Sequence, residues 1–154
     1  MSISIGAVAP DFALKDQHGQ TVTLADYRGS KDVLLIFYPW SFTGICSSEL
    51  DQVQEALPQL QSEDVQVLAV SCDAMFTQRM YAEGAGLTFP VLSDFWPHGA
   101  VASAYHVFDE DLGVAVRGSF VIHRDGIVRW QVVNAVGAAR DLAEATGALE
   151  QLRG

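Results

Sequence analysis

Apolar residues in this chain fall into short runs divided by turn-rich polar stretches. The stretch "DVLLIFYP" (32–39) is apolar almost throughout, branched and aromatic. That pattern predicts a central strand covered on both faces. "VQVLAVS" (65–71) predicts a second buried strand. Between them Leu50, Val53, Leu57 and Leu60 recur at three- and four-residue spacing, which predicts an amphipathic helix over 43–60. Pro58 is expected to disturb its last turn. "AMFTQRMYAEGAG" predicts a helix closed by Gly86, "FPVLSD" a short strand, and "HGAVASAYHV" a short helix. Two extended runs, 12–14 and 21–23, flank the turn residues "QHGQ" and predict an N-terminal hairpin. "GSFVIHRDGIVRWQVV" predicts a second hairpin about its "RDG" turn, and 138–152 a closing helix.

Strands alternating with helices predict an α/β sandwich, with a mixed central sheet flanked by helices. The unit from 32–39 to 65–71 is expected to be a right-handed parallel crossover. Sites in such sheets form at the carboxyl ends of strands. Cys46 lies just past the end of the first central strand. No repeat, low-complexity tract or linker divides the sequence, so a single domain over 1–154 is expected.

Composition narrows the function classes. Of the residues, 49% are hydrophobic and 18% charged, which is globular rather than disordered. Nineteen acids against nine lysines and arginines give a net charge of −10, a field that repels nucleic acid and anionic membranes. "MSISIGAVAPDF" does not read as a signal peptide, and the apolar stretch 33–40 is too short to span a bilayer. A soluble, cytoplasmic protein is expected. Two cysteines, Cys46 and Cys72, do not make a disulfide scaffold.

Cys46 falls in the first turn of the helix expected from Thr43. Free N–H groups and the helix dipole favour a thiolate there. Burial toward Leu50 and Val53 opposes it, and Glu49 opposes it further if close and unpaired. A reactive thiolate therefore needs a cation. Arg28, Arg79, Arg117, Arg124, Arg129 and Arg140 are the candidates. Arg117 is favoured because it directly precedes an apolar strand. Thr43 is placed to cap the helix and to hydrogen-bond a substrate oxygen beside the sulfur. Pro39 ends the strand and stiffens the loop entry. Glu49 reads equally well as a solvated first-turn acid.

Pro39-x-x-x-Thr43-x-x-Cys46, "VAPDF", "LSD…GAVASAYHV" and "RGSFVI", in that order, resemble the peroxiredoxins. "FTGIC", "LSDFWPHGAV" and Arg117 are most similar to the one-cysteine, AhpE-type alkyl hydroperoxide reductases. The resemblance runs from about Ile5 to Arg140 and implies a thioredoxin-like fold. It implies reduction of hydrogen peroxide, organic hydroperoxides and peroxynitrite with no metal, haem or flavin. It places the peroxidatic sulfur on Cys46, the hydroxyl on Thr43, the shielding proline on Pro39 and the thiolate-pairing arginine on Arg117. Glu49 and Arg140 fall on supporting positions. Trp40 departs from the family, where smaller aliphatic residues are common after that proline.

Cys72 ends the second central strand, at the same sheet edge as Cys46. A core cysteine there leaves resolution to an external thiol, whereas a resolving Cys72 makes a two-cysteine enzyme. For the external thiol the resemblance suggests mycothiol with a mycoredoxin; a thioredoxin-like reductant is the alternative. A peroxide sensor and a non-catalytic holdase are the rival functions. His18, His98, His106 and His123 show no metal-ligand spacing. Phe95 and Trp96 are expected in the core, with a rim or homodimer contact as the alternative.

Overall fold

The computed structural model of the protein describes residues 3–153. Nine strands and four helices follow in chain order. They are β1 (Ala13–Lys15), β2 (Thr21–Thr23), β3 (Asp32–Phe37), α1 (Gly44–Leu60), β4 (Val65–Ser71), α2 (Met75–Ala85), β5 (Val91–Ser93), α3 (Ala100–Ala104), β6 (Phe108–Asp109), β7 (Val114–Ala115), β8 (Arg117–Ile122), β9 (Val128–Asn134) and α4 (Leu142–Arg153). The main sheet has seven strands in the order β2-β1-β5-β4-β3-β8-β9. β3, β4 and β5 are mutually parallel, and β8 runs antiparallel to β3. The sheet is therefore mixed, as expected.

Every residue of β3 is buried, which is why its sequence lacks alternation. Leu34 and Ile36 face a core cluster that includes Cys46, Leu50 and Val53 of α1, Tyr81 of α2 and Leu149 of α4. Val33, Leu35 and Phe37 face a second cluster with Phe12, Ala102, Tyr105 and Phe120. The rings of Phe37, Tyr105 and Phe120 meet at centroid distances of 5.2–5.8 Å. Each such side chain contributes on the order of 1.5–3 kcal/mol through removal from water.

α1 ends at Leu60 as expected and runs through Pro58, with Gln61 N–H bonding Leu57 C=O at 2.8 Å. Other features differ from the sequence reading. α4 begins at Leu142, so Arg140 sits in the preceding loop. A 3-10 turn (Leu24–Tyr27) and the two-residue pair β6–β7 are additional. Phe95 is 50% and Trp96 80% exposed, so the expected core placement of this aromatic pair is wrong. No helix among the described residues is long and apolar enough to cross a membrane.

Candidate active site

The Cys46 side chain is fixed by the periodicity of α1. Cys46, Glu49, Leu50 and Val53 share the inward face at i, i+3, i+4 and i+7, and all are buried. An apolar face accepts Leu50 and Val53 without cost. A carboxylate there must be paired, because leaving it unsatisfied in the interior is expensive. Glu49, 3% exposed, is paired twice. Its Oε1 receives Arg117 Nη1. Its Oε2 receives the Arg140 backbone N–H at 2.7 Å and Arg140 Nε at 3.1 Å. The solvated reading of Glu49 is thereby overturned.

Arg117 opens β8 and is 2% exposed; its Nε donates to Val136 C=O at 2.7 Å. Arg140 arrives from the loop before α4. Its Nη1 donates to Ser119 Oγ at 2.9 Å and Gly118 C=O at 3.1 Å, and its Nη2 to Phe37 C=O. The last carbonyl of β3 and the first residues of β8 thus hold one guanidinium. Burial lowers Arg140 from its ordinary value. Glu49 and the Cys46 sulfur act in the opposite direction, and Arg117 adds to the lowering. Two buried cations face one buried carboxylate, so the cluster carries one excess positive charge that a Cys46 thiolate would neutralise.

The other four candidate arginines lie elsewhere. Arg79 Nε bonds Gln17 C=O at 2.8 Å, and Arg124 pairs with Asp32. Arg129 pairs with Asp125, and Arg28 lies beside Gly126. Both position and charge therefore select Arg117 and Arg140 from the original six.

Pro39 is buried at the end of β3, where the chain turns into the loop before α1. Phe42 holds a left-handed backbone (φ 68°) and stacks edge-on against Tyr81 at 5.1 Å. Thr43 is the N-cap residue of α1, but its side chain does not cap. Its hydroxyl donates to Trp40 C=O at 2.8 Å instead. That one proton is committed within the loop, so Thr43 Oγ1 is left as an acceptor. The first-turn amide groups are correspondingly left to an incoming anion. Tyr81 Oη is buried without a hydrogen-bond partner. Its position depends on helix packing that spacing in the sequence does not reveal.

Cys72 is buried on the other side of the sheet. Cys46 belongs to the cluster under α1, while the Cys72 thiol lies against the Ala115 backbone and lines a cavity of about 330 Å³ with Trp40, Phe95 and Leu112. The shared strand-end level does not put the two sulfurs on one face. Burial, then Asp94, pushes the Cys72 thiol from the ordinary 9.0 up to about 12. The folded chain holds this proton more tightly than the unfolded chain. Stability from this group is intact below 9.0 and is lost as pH rises toward about 12. Cys72→Ala should make the alkaline decline of the urea midpoint shallower; an unaltered slope would contradict this.

Removing the anion from the arginine pair has a structural cost. Glu49→Ala is expected to lower unfolding free energy by about 3–5 kcal/mol, as in other buried pairs deprived of one partner. Urea denaturation reads this directly, and a loss near zero would mean the guanidiniums find solvent.

Fold and site together define a buried-thiol redox enzyme of thioredoxin-like α/β architecture. The profile of the AhpC/TSA family matches residues 5–131, and the chain belongs to that family, the peroxiredoxins. Alkyl hydroperoxide reductase E of Mycobacterium bovis is 50% identical over 150 residues, covering 97% of this chain and 98% of the relative. The protein of that name from Mycobacterium tuberculosis gives the same figures. Among solved structures, the reduced 2-Cys peroxiredoxin of Plasmodium vivax superposes with a TM-score of 0.88 at 26% identity, over 98% of this chain and 82% of the other. Peroxidoxin BcpB of Mycobacterium tuberculosis gives 0.87 at 26% identity, over 99% of both chains.

Proposed function

We propose that the chain, acting as one domain, is a one-cysteine thiol peroxidase for hydrogen peroxide, organic hydroperoxides and peroxynitrite. The observation that carries this reading is the placement of Cys46 in the first turn of α1, beside a buried cluster in which Arg117 and Arg140 outnumber Glu49. The Cys46 thiolate attacks the terminal peroxide oxygen in line with the O–O bond. An S–O bond forms, the O–O bond breaks, and the electron pair leaves on the alkoxide, which takes a proton from water. The guanidinium charge stabilises that leaving oxygen. Thr43 Oγ1, with its own proton given to Trp40, accepts the hydrogen of the peroxide and orients it.

The product is the Cys46 sulfenic acid. A first external thiol displaces water to form a mixed disulfide. A second releases the Cys46 thiolate and leaves as the external disulfide. Location of Cys72 on the opposite face from Cys46 supports an external reductant, for which we propose a low-molecular-weight thiol such as mycothiol with a mycoredoxin, or a thioredoxin-like protein. The cytoplasm is the proposed site of action. We also propose a homodimer, supported by exposed Phe76, Met80, Phe95 and Trp96; light scattering that finds monomer at every dilution would exclude it.

Stopped-flow mixing with hydrogen peroxide and with a fatty-acid hydroperoxide, followed by mass spectrometry of both cysteines, tests the reaction. Catalytic consumption with added thiol and oxidation confined to Cys46 are expected. Stoichiometric consumption that stops despite added thiol favours a sensor. A peroxide-induced Cys46–Cys72 disulfide replaces the one-cysteine scheme with a two-cysteine one.

A further inference from the structure

We propose that Asp73 is a positioning residue for the catalytic loop, holding residues 39–43 in place through Ser41. This rests on the reading of Cys46 as the reacting sulfur. Asp73 follows the carboxyl end of β4, next to the end of β3 where the loop departs. Its Oδ2 accepts Ser41 N–H at 2.9 Å, the Ser41 hydroxyl at 2.9 Å and the Ser71 hydroxyl at 2.6 Å.

Counting protons orients the whole network. A carboxylate only accepts, so the single hydroxyl proton of Ser41 is given to Asp73. Tyr38 Oη lies 3.0 Å from Ser41 Oγ and must therefore be the donor there. Burial raises the Tyr38 phenol above its ordinary value, which keeps that proton in place. Ser71 likewise spends its proton on Asp73 and accepts from Gln78 Nε2 at 2.9 Å. The other Gln78 amide hydrogen goes to Leu92 C=O at 2.8 Å. Ser93 Oγ donates to the Asp73 carbonyl at 2.6 Å. Donors from β4, β5 and the loop thus converge on Asp73, with Gln78 of α2 supporting Ser71 behind them, and Tyr38, Ser71 and Gln78 are fully buried.

What the network holds is a loop that would not hold itself. Phe42 adopts φ 68°, a backbone state that side-chain-bearing residues rarely occupy, and such states persist only when neighbours impose them. Ser41 on one side is tied to Asp73, and Thr43 on the other is tied to Trp40 C=O. Release of Ser41 lets Phe42 relax and carries Thr43 and the first turn of α1 away from the substrate position. Asp73 itself touches no reacting atom in this scheme.

Ser41→Ala, Asp73→Asn and the double variant test the assignment; because Ser41→Ala also strips the buried Tyr38 hydroxyl of its acceptor, stability is read beside the rates. Three quantities are read: the rate of Cys46 oxidation by hydrogen peroxide, the rate of Cys46 alkylation by a bulky maleimide, and the urea midpoint. Each single variant should oxidise about tenfold more slowly, the scale of one charge-assisted hydrogen bond. Each should also alkylate faster, and the double variant should be no slower to oxidise than Asp73→Asn. Wild-type oxidation and alkylation rates in Ser41→Ala, with only the urea midpoint lowered, would overturn the proposal. If the wild-type protein itself fails to react with peroxide, the peroxidase reading falls, while the alkylation comparison still tests the hold on the loop.

Discussion

Cys46→Ser is expected to abolish peroxide turnover completely while the chain still unfolds cooperatively. Serine places an oxygen where the sulfur stood, in the same fully buried position on α1. Geometry is therefore preserved and the nucleophile alone is changed. An alcohol does not ionise near neutrality, and it is a far weaker nucleophile toward peroxide oxygen than a thiolate. The charge of the site changes as well. Arg117, Arg140 and Glu49 keep one uncompensated positive charge that no serine anion cancels. Stopped-flow measurement of hydrogen peroxide loss with excess thiol gives the test, with urea denaturation to verify folding. Sustained consumption at the wild-type rate would move the chemistry off Cys46.

Arg117→Ala is expected to slow oxidation of Cys46 by about two to three orders of magnitude, the usual cost of losing one preorganised donor to a developing anion. Two effects act in the same direction. The variant removes the cation that the proposed reaction sets against the leaving oxygen, and it frees Glu49 Oε1 from its partner. The cluster, Arg140 with Glu49, then carries no excess positive charge. Arg117→Lys should recover little. A lysine ammonium is a compact point charge, whereas the guanidinium spans Val136 C=O with Nε and Glu49 with Nη1. Rates from stopped flow and the thiolate fraction from ultraviolet absorbance check this. Wild-type values of both in Arg117→Ala would remove Arg117 from the mechanism.

The parts of this fold that the sequence makes legible are those with long, unambiguous patterns. β3 reads as a two-sided buried strand because all six of its residues are buried. α1 reads as amphipathic because its stripe persists over four positions, and Cys46 falls on that stripe. Other features depend on partners far away in the chain. Burial of Glu49 becomes visible only when Arg117 and Arg140, 68 and 91 residues later, fold against it. Capping of α1 was expected of the Thr43 hydroxyl, but in the folded loop it donates to Trp40 C=O. Phe95 and Trp96 look like core by composition, yet the short segment between β5 and α3 leaves them on the surface. The pairing of Ser41 with Asp73 joins two loops that no periodicity connects. The β6–β7 pair, two residues per strand, is too short to leave a pattern at all.

With the two thiols on opposite sides of a seven-stranded sheet, the one-cysteine scheme proposed above leaves an oxidised Cys46 to be quenched from outside the chain. The lifetime of that oxidised sulfur is then a race between two solutes. Reducing thiol restores it, and a second molecule of peroxide drives it to the sulfinic acid. The fraction of molecules lost per cycle accordingly follows the ratio of the two concentrations, so such a protein reports the reducing capacity of its surroundings through its own survival.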